Sequence, residues 1–335
     1  MIGLGIETSC DETSIGIVED GSNLISLKIF SQIETHAEFR GVVPEIASRA
    51  HLEKINILLE EAIQESKVDW KDLSYVAVTN RPGLLGSLMI GAQLARSISL
   101  VHKIPIVPVD HLEAHLNTVQ LEKKAPKFPY LGVLLSGGNS SIFFVEDYGK
   151  MKLIADTSDD ALGEAFDKVS SLLGLPYPGG PAIEKRANQH KPQENEKNPF
   201  PELLKDYPQE RIEFSYSGLK TSVLYYLKKN TIDENKINEV CFHFQNTSFQ
   251  LVEKNILKAV KATRIKQVVA SGGVLANETL RKKLTSLAEK KKLELFYPEK
   301  KILCTDNGAM IASLGYYLFK QGKIDSIDFK VSPSR

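Results

Sequence analysis

Two stretches of the sequence place apolar strands around a short turn, and helical segments follow each of them. Residues 1–20, MIGLGIETSCDETSIGIVED, form the first stretch, and residues 130–147, YLGVLLSGGNSSIFFVED, form the second. A third strand, NLISLKIFSQ, follows the first pair, so we expect an antiparallel meander there. A meander that continues into helices, occurring twice in one chain, predicts a duplicated, bilobal α/β fold with a cleft between the lobes.

Amphipathic segments predict the helices. Residues 44–66 begin with Pro44 and carry apolar residues at helical spacing, which is typical of a helix with proline in its first turn. Further helices are expected over residues 217–228 and 234–263. We expect an N-terminal lobe of residues 1–110 plus 307–335 and a C-terminal lobe of residues 111–306. The region near 188–212 is rich in Pro, Asn, Lys and Glu and predicts an exposed loop.

The bulk composition excludes several classes of protein. With 42% hydrophobic and 25% charged residues, the chain has the composition of a globular protein. It has no apolar run long enough to span a membrane, and its first residues turn acidic, unlike a signal peptide, so we expect a cytoplasmic protein. Three cysteines without a CxxC pair predict reduced thiols.

Charge is unevenly distributed along a chain whose formal net charge is +0. Residues 251–301 contain 13 Lys/Arg and 5 Asp/Glu, a local excess of +8. Such a segment is either an electrostatic footprint for nucleic acid or an ordinary solvated helical face.

Three predicted strands run into turns of small or acidic residues: GIETSCDETS, LLSGGNSS and VVASGGVLAN. Backbone amides at glycine turns can cradle phosphate oxygens, because no Cβ blocks the approach. None of the three matches the P-loop or the dinucleotide-binding fingerprint. Their order resembles that of the actin, sugar-kinase and Hsp70 ATPase superfamily, in which two hairpins hold phosphates and the late glycine pair holds adenosine.

The segment HLEAH, residues 111–115, places two histidines four residues apart, so that both would lie on one face of a helix. A zinc protease would require HExxH, but Leu112 follows the first histidine and Glu113 would point away from the shared face. Asp306, in CTDNGAMIA, is a candidate third ligand for a divalent ion such as iron or zinc. The alternative is a helix with two surface histidines.

Ten motifs in order resemble the bacterial TsaD family, the tRNA N6-adenosine threonylcarbamoyltransferases, over roughly residues 1–320. The motifs are GIETSCDETS, GVVPEIASRAH, PGLLGSL, DHLEAH, LLSGG, ALGEAFDKV, YPGGP, FSYSGLKT, ASGGVLAN and CTDNGAMIA. The resemblance implies transfer of threonylcarbamoyl from threonylcarbamoyl-AMP to N6 of the adenosine 3′ of the anticodon, in tRNAs that read ANN codons. The product is t6A.

The resemblance also implies roles for particular residues. His111, His115 and Asp306 would hold one divalent metal, Fe²⁺ or else Zn²⁺. The residues implied at the donor nucleotide are Leu134, Leu135, Ser136, Gly137, Gly138, Asp167, Gly180 and Asn277. Asp11 and Glu12 would be catalytic or positioning carboxylates, with Asp11 orienting or deprotonating the adenine amine. Local reasoning leaves open that Asp11 only caps its own turn.

The family further implies partners: tRNA, the paralogue TsaB, the ATPase TsaE and an upstream synthase that supplies threonylcarbamoyl-AMP. The basic segment 251–301 would then neutralise tRNA phosphates. The apolar stripe of the 44–66 helix would either contact TsaB or fill the core of this chain.

The sequence departs from the family pattern at three places. Phe39 and Arg40 stand where Tyr-Gly is usual, Arg81 replaces the first glycine of GPGL, and Asn139 replaces the histidine of SGGHT. Asn139 can form hydrogen bonds but cannot take up a proton at neutral pH. Three other functions remain as alternatives: a metalloprotease, a small-molecule kinase of the same superfamily, and a non-catalytic scaffold.

Overall fold

The computed structural model describes residues 1–205, 208 and 211–334. The strands are β1 (Ile2–Glu7), β2 (Glu12–Glu19), β3 (Asn23–Ser31), β4 (Leu73–Arg81), β5 (Ile106–Asp110), β6 (Tyr130–Leu135), β7 (Ser140–Asp147), β8 (Lys150–Ala155), β9 (Gln267–Ser271) and β10 (Glu294–Phe296). The helices are α1 (Ile33–Ala37), α2 (Pro44–Ser66), α3 (Leu85–His102), α4 (His111–Asn117), α5 (Leu162–Leu172), α6 (Gly179–Ala187), α7 (Ser217–Lys229), α8 (Glu234–Thr263), α9 (Glu278–Lys291) and α10 (Gly308–Lys320). Short 3₁₀ helices cover Trp70–Asp72, Thr118–Leu121, Gly273–Ala276 and Lys301–Leu303.

The described strands form two five-stranded sheets with the same topology. One has the order β3-β2-β1-β4-β5, and the other, read from β8, has the order β8-β7-β6-β9-β10. In each sheet the first strand pairs antiparallel with the second, and the two later strands run parallel to the first. The predicted duplicated α/β fold is therefore confirmed.

The described residues separate into two compact units. The first comprises Met1–Pro126, Asp147–Met151 and the chain from Tyr297 onward, and the second comprises Lys127–Glu146 and Lys152–Phe296. The domain boundaries predicted after residues 110 and 306 remain predictions. Residues 111–126 and 297–306 cluster with the first unit, in which α4 packs against α10.

The sheet of the first unit is covered on both faces, which explains the apolar run YVAV at residues 75–78 of β4. Alternate residues of a strand point to opposite faces. Val76 and Val78 join the core beneath α2 and α3, whereas Tyr75 and Ala77 pack with α10. The α2 stripe residues Ile55, Leu58 and Ala62 lie in the first of these cores, so this stripe fills the interior of the chain.

Helix α10 begins directly against the β1–β2 hairpin because two strand glycines leave room for its backbone. A Cβ added at Gly5 would lie 2.0 Å from the Gly308 carbonyl oxygen, and one added at Gly16 would lie 2.3 Å from the Ala309 nitrogen. This close approach places Asp306, just before α10, beside the end of β1.

Several other predictions can be compared with the structure. The helices over 44–66 and 234–263 have the predicted bounds, and α7 ends one residue later than predicted. Among the described residues of the 188–212 region there is no helix or strand, and most of them are exposed; positions 206, 207, 209 and 210 lie outside the described residues. The three cysteines are free, and no described helix is long and apolar enough to cross a membrane.

Candidate functional site

Helix α4 brings the two histidines of HLEAH together. Asp110, the last residue of β5, caps this helix, because its Oδ1 accepts hydrogen bonds from the amides of Leu112 at 3.0 Å and Glu113 at 3.2 Å. The cap starts the helix at His111, so that His111 and His115 lie one turn apart with ring centroids 4.6 Å apart. The predicted shared face is thus present.

Asp306 completes a cluster of three potential metal ligands. Its Oδ1 lies 2.9 Å from His115 Nε2 and 3.6 Å from His111 Nε2. The three ligand atoms are all within 4.8 Å of one another. The side chains are 11% (His111), 1% (His115) and 18% (Asp306) exposed, so the cluster is largely shielded from water. Two imidazoles and one carboxylate are a donor set that suits Zn²⁺ or Fe²⁺.

Within this cluster, His111 and Asp306 each stabilise the charged form of the other. Burial alone would lower the pKa of His111, but the carboxylates of Asp306 and Glu7 raise it to about 9. Burial would likewise raise the pKa of Asp306, but His111 and then His115 lower it to about 2. The carboxylates of Asp306 and Glu7 therefore stabilise positive charge at this cluster, which favours the binding of a cation.

Glu7 is a functional candidate that sequence reasoning missed. It is fully buried at the end of β1, and its Oε2 lies 3.0 Å from His111 Nδ1 and accepts a hydrogen bond from Thr79 Oγ1 at 2.6 Å. Although burial opposes ionisation, the charge of His111 lowers the pKa of Glu7 below its usual value. A carboxylate on Nδ1 fixes the imidazole so that Nε2 faces the ligand cluster. The available signal was an acidic residue at the end of an otherwise apolar strand.

Asp11 lies in the turn from β1 to β2, and Glu12 is the first residue of β2, in the same compact unit. His51, on α2, supports this turn with contacts to the Cys10 carbonyl oxygen at 2.9 Å and to Thr13 Oγ1 at 2.7 Å. Burial, followed by the charges of Asp306 and Asp11, raises the pKa of Glu12 well above its usual value. Glu12 is therefore held in an environment that favours its protonated form. His51 was not among the predicted residues.

Glu113 points away from the histidine cluster, as the helical geometry predicts. Its carboxylate accepts a hydrogen bond from the Gly149 amide. The arrangement thus lacks the neighbouring glutamate that a HExxH protease uses as its base.

The second unit contains a cavity of about 210 Å³. Four predicted nucleotide-binding residues line it: Gly137, Asp167, Gly180 and Asn277. The other predicted residues, Leu134, Leu135, Ser136 and Gly138, are not among the described residues that line the cavity. The two leucines are buried in β6, and Ser136 and Gly138 flank Gly137.

Polar side chains around this cavity fix the starts of two helices. Asp167 Oδ1 accepts from the Gly179 amide at 2.6 Å, where α6 begins. Asn277 caps α9 by accepting from the Leu280 amide at 2.9 Å, and its amide nitrogen donates to Gln245 at 2.9 Å. Glu184, which was not predicted, accepts from the Glu278 amide at 2.8 Å. These contacts hold the walls of the cavity in place.

Comparisons with known proteins agree on one family. The sequence model of the TsaD family, tRNA N6-adenosine threonylcarbamoyltransferase, matches residues 23–313 of this chain. A tRNA N6-adenosine threonylcarbamoyltransferase of Leptospira interrogans serogroup Icterohaemorrhagiae serovar copenhageni is 61% identical over 335 residues, covering 100% of this chain and 98% of that relative. The chain belongs to the TsaD family. A relative of the same name from Geotalea uraniireducens is 43% identical and covers 99% of this chain and 96% of its own length.

Solved structures agree with the TsaD assignment at the level of fold. Full-length HypF, in its phosphate- and nucleotide-bound form, is similar with a TM-score of 0.61 at 18% identity, over 96% of this chain and 46% of HypF. Component A of Acidaminococcus fermentans (R)-2-hydroxyglutaryl-CoA dehydratase is similar with a TM-score of 0.54 at 14% identity, over 96% and 100% of the two chains. Both similarities concern the fold alone, and they agree with the predicted duplicated α/β architecture.

Two residues that depart from the TsaD pattern, Arg81 and Asn139, make defined contacts in the structure. Arg81 Nε lies 3.4 Å from Asp110 Oδ2, so this arginine contacts the residue that caps α4. The Asn139 amide donates to Ser136 Oγ at 3.0 Å, and the Ser136 amide donates to the Asn139 carbonyl oxygen at 2.8 Å. Asn139 therefore closes the SGG turn through its backbone, which does not depend on the histidine that is usual in the family.

Proposed function

We propose that this chain transfers the threonylcarbamoyl group from threonylcarbamoyl-AMP to N6 of the adenosine 3′ of the anticodon in tRNAs reading ANN codons, forming t6A. Identity of 61% with a tRNA N6-adenosine threonylcarbamoyltransferase across the whole chain carries this proposal. The His111, His115 and Asp306 cluster supports it, because two imidazoles and a carboxylate can hold a metal ion that would polarise the activated donor.

His111, His115 and Asp306 would hold one divalent ion, Fe²⁺ or Zn²⁺, and the donor set fits either. When bound, the ion supplies a Lewis acid that polarises the carbonyl of the activated donor. Glu7 orients His111 through its Nδ1, so that Nε2 stays directed toward Asp306.

The donor nucleotide would contact the turn of Leu134, Leu135, Ser136, Gly137 and Gly138 together with Asp167, Gly180 and Asn277. The cavity of about 210 Å³ supports this proposal, since glycines and capped helix starts line it. It is smaller than the roughly 300–1,000 Å³ of ordinary ligand sites and thus suits one part of a nucleotide.

Asp11 and Glu12 would act on the acceptor. The donor is already an activated mixed anhydride, so the remaining task is to place the weakly nucleophilic amine and accept its proton. Asp11 is assigned to orient or deprotonate the adenine amine, with Glu12 beside it. The contact of His51 with the carbonyl oxygen of Cys10, which precedes Asp11 in the chain, supports this proposal.

tRNA is the macromolecular substrate, and the basic segment 251–301 is its proposed contact. TsaB, TsaE and the synthase that makes threonylcarbamoyl-AMP are the proposed partners, by analogy with the family. Action on tRNA implies a cytoplasmic location.

A reconstitution tests this function. The chain is mixed with TsaB, TsaE, the synthase, threonine, bicarbonate, ATP and unmodified tRNA, and the digested tRNA is examined by mass spectrometry. Threonylcarbamoyladenosine should form only when the chain is present. It should be lost in Asp306→Ala and retained in Asp328→Ala, which alters an exposed aspartate of the same unit. No product with partners of proven activity would contradict the proposal and favour the kinase reading.

A further inference from the structure

A second cluster of metal-binding side chains lies in the other compact unit. Glu196 Oε1 is 2.8 Å from His190 Nε2 and 2.6 Å from His243 Nε2. The three ligand atoms are all within 4.8 Å of one another. The side chains of His190, Glu196 and His243 are 13%, 19% and 7% exposed, so an ion from solvent can reach them although they are mostly covered.

The three side chains are held in this arrangement by their neighbours. Glu196 Oε2 accepts a hydrogen bond from the Gln193 amide at 3.0 Å, which leaves Oε1 directed at the histidines. This amide, followed by the two histidines, lowers the pKa of Glu196 to about 2 against the effect of burial. The His190 ring packs on Phe242 with centroids 5.0 Å apart, and His243 comes from the buried face of α8.

We propose that His190, Glu196 and His243 bind a Zn²⁺ ion, with water in the fourth position. Two imidazole nitrogens and one carboxylate oxygen, on a surface that water can reach, are a recurrent zinc donor set. Ligand atoms about 2.0–2.1 Å from a tetrahedral ion lie roughly 3.3 Å apart. Glu196 Oε1, now 2.8 Å from His190 Nε2 and 2.6 Å from His243 Nε2, therefore needs to separate from them by about 0.5 and 0.7 Å, which small side-chain rotations provide.

The ion would fasten an irregular segment to a long helix. His190 follows the end of α6, and the described residues from 188 to 205 contain no helix or strand. Apart from the cluster, Asn198 Nδ2 donates to Thr247 Oγ1 on α8 at 2.8 Å, and Phe200 is buried. A zinc ion joining residues 190, 196 and 243 would turn these separate contacts into a cross-link.

Metal stoichiometry tests the site in the full-length chain. Chelator-treated protein is dialysed against Zn²⁺ and its bound zinc is counted by mass spectrometry. The Asp306→Ala chain should retain one equivalent, and adding His243→Ala or Glu196→Gln to it should remove that equivalent. Glu196→Gln keeps the size of the side chain and one acceptor oxygen, so it preserves the fold if His243→Ala does not. His102→Ala, which alters an exposed histidine stacked on Trp70, is the matched control and should keep the equivalent.

Proteolysis gives a second, independent measurement. Lys197 is exposed between Glu196 and Asn198, so trypsin can cleave there. Zn²⁺ should slow this cleavage about tenfold or more in the unmodified chain, because cleavage requires the segment to open locally. It should have no effect in Glu196→Gln. Zinc binding that persists in the double variants, or cleavage that Zn²⁺ leaves unchanged, would overturn the proposal and leave a hydrogen-bonded triad.

Discussion

At the scale of single residues, the central feature is the candidate metal-binding cluster of His111, His115 and Asp306. His111 and His115 share a face of α4 because they are four residues apart, and Asp306 reaches them from the loop before α10. Glu7 adds a buried carboxylate behind His111.

Removing a ligand should remove the metal and the activity together. His111→Ala and Asp306→Ala should each lower t6A formation by more than about 100-fold, since even residues behind the ligands typically account for 10–100-fold. Circular dichroism should show an unchanged fold, and metal analysis should show that the equivalent bound by this cluster is lost. Full activity in both variants would rule out a metal role for the cluster.

Glu7→Gln tests the supporting carboxylate without changing its shape. The amide can still accept from Thr79, but it no longer places a negative charge on His111 Nδ1. We expect metal affinity to fall about 10–100-fold, measured by competition with a chelator of known affinity. Thr79→Val, which removes the outer hydrogen bond and leaves the charge, should have a smaller effect. Equal affinity in Glu7→Gln and the unmodified chain would contradict this role.

At the scale of elements, the local patterns predicted the long helices but missed one short edge strand. The apolar spacing of 44–66 gave the bounds of α2, whereas β8 was not predicted. Its sequence, KMKLIA, is only six residues long and does not alternate regularly between polar and apolar residues, and the strand lies at the edge of its sheet. Pairing with β7 creates this strand, and such pairing is invisible to a local window.

The close contact between α10 and the β1–β2 hairpin gives a prediction about stability. Gly5→Ala should lower the free energy of unfolding by at least about 1–3 kcal/mol, because the new methyl group would lie on the backbone of α10. Chemical denaturation followed by circular dichroism measures this change. Gly218→Ala is the control, since a Cβ there meets no atom within 4 Å. A Gly5→Ala chain as stable as the control would show that α10 can move away at little cost.

At the scale of the whole molecule, the proposed tRNA contact rests on the excess of +8 in the segment 251–301 of a chain whose net charge is +0. Several of its lysines are exposed, including Lys282 and the run Lys290, Lys291 and Lys292 after and within the last turn of α9. Many lysines would attract the tRNA phosphates together, and salt screens such attraction. The proposed contact is therefore tested by changing the ionic strength.

Binding of tRNA should weaken steeply as salt rises. Each phosphate contact contributes about 0.7–0.9 to the slope of log affinity against log salt, so replacing Lys290, Lys291 and Lys292 by alanine should reduce the slope by roughly 2–3. Filter binding over a range of KCl concentrations measures it. Alanines at Lys123, Lys124 and Lys127, which are exposed but outside the segment, should leave the slope unchanged. A flat salt response of the unmodified chain would refute the proposed contact.

The sequence by itself determined the family, the duplicated α/β fold and the pairing of His111 with His115, because ordered motifs and helical or strand periods are local properties. It also supplied Asp306, through a motif. Only the tertiary structure brought Glu7 behind His111, His51 onto the Cys10 carbonyl, and Glu196 between two histidines. Glu7 and His111 are 104 positions apart in the chain, and Cys10 and His51 are 41 apart. Glu196 is 6 positions from His190 and 47 from His243. No periodicity relates such positions, since their meeting depends on which strand ends and loops the packed core brings together.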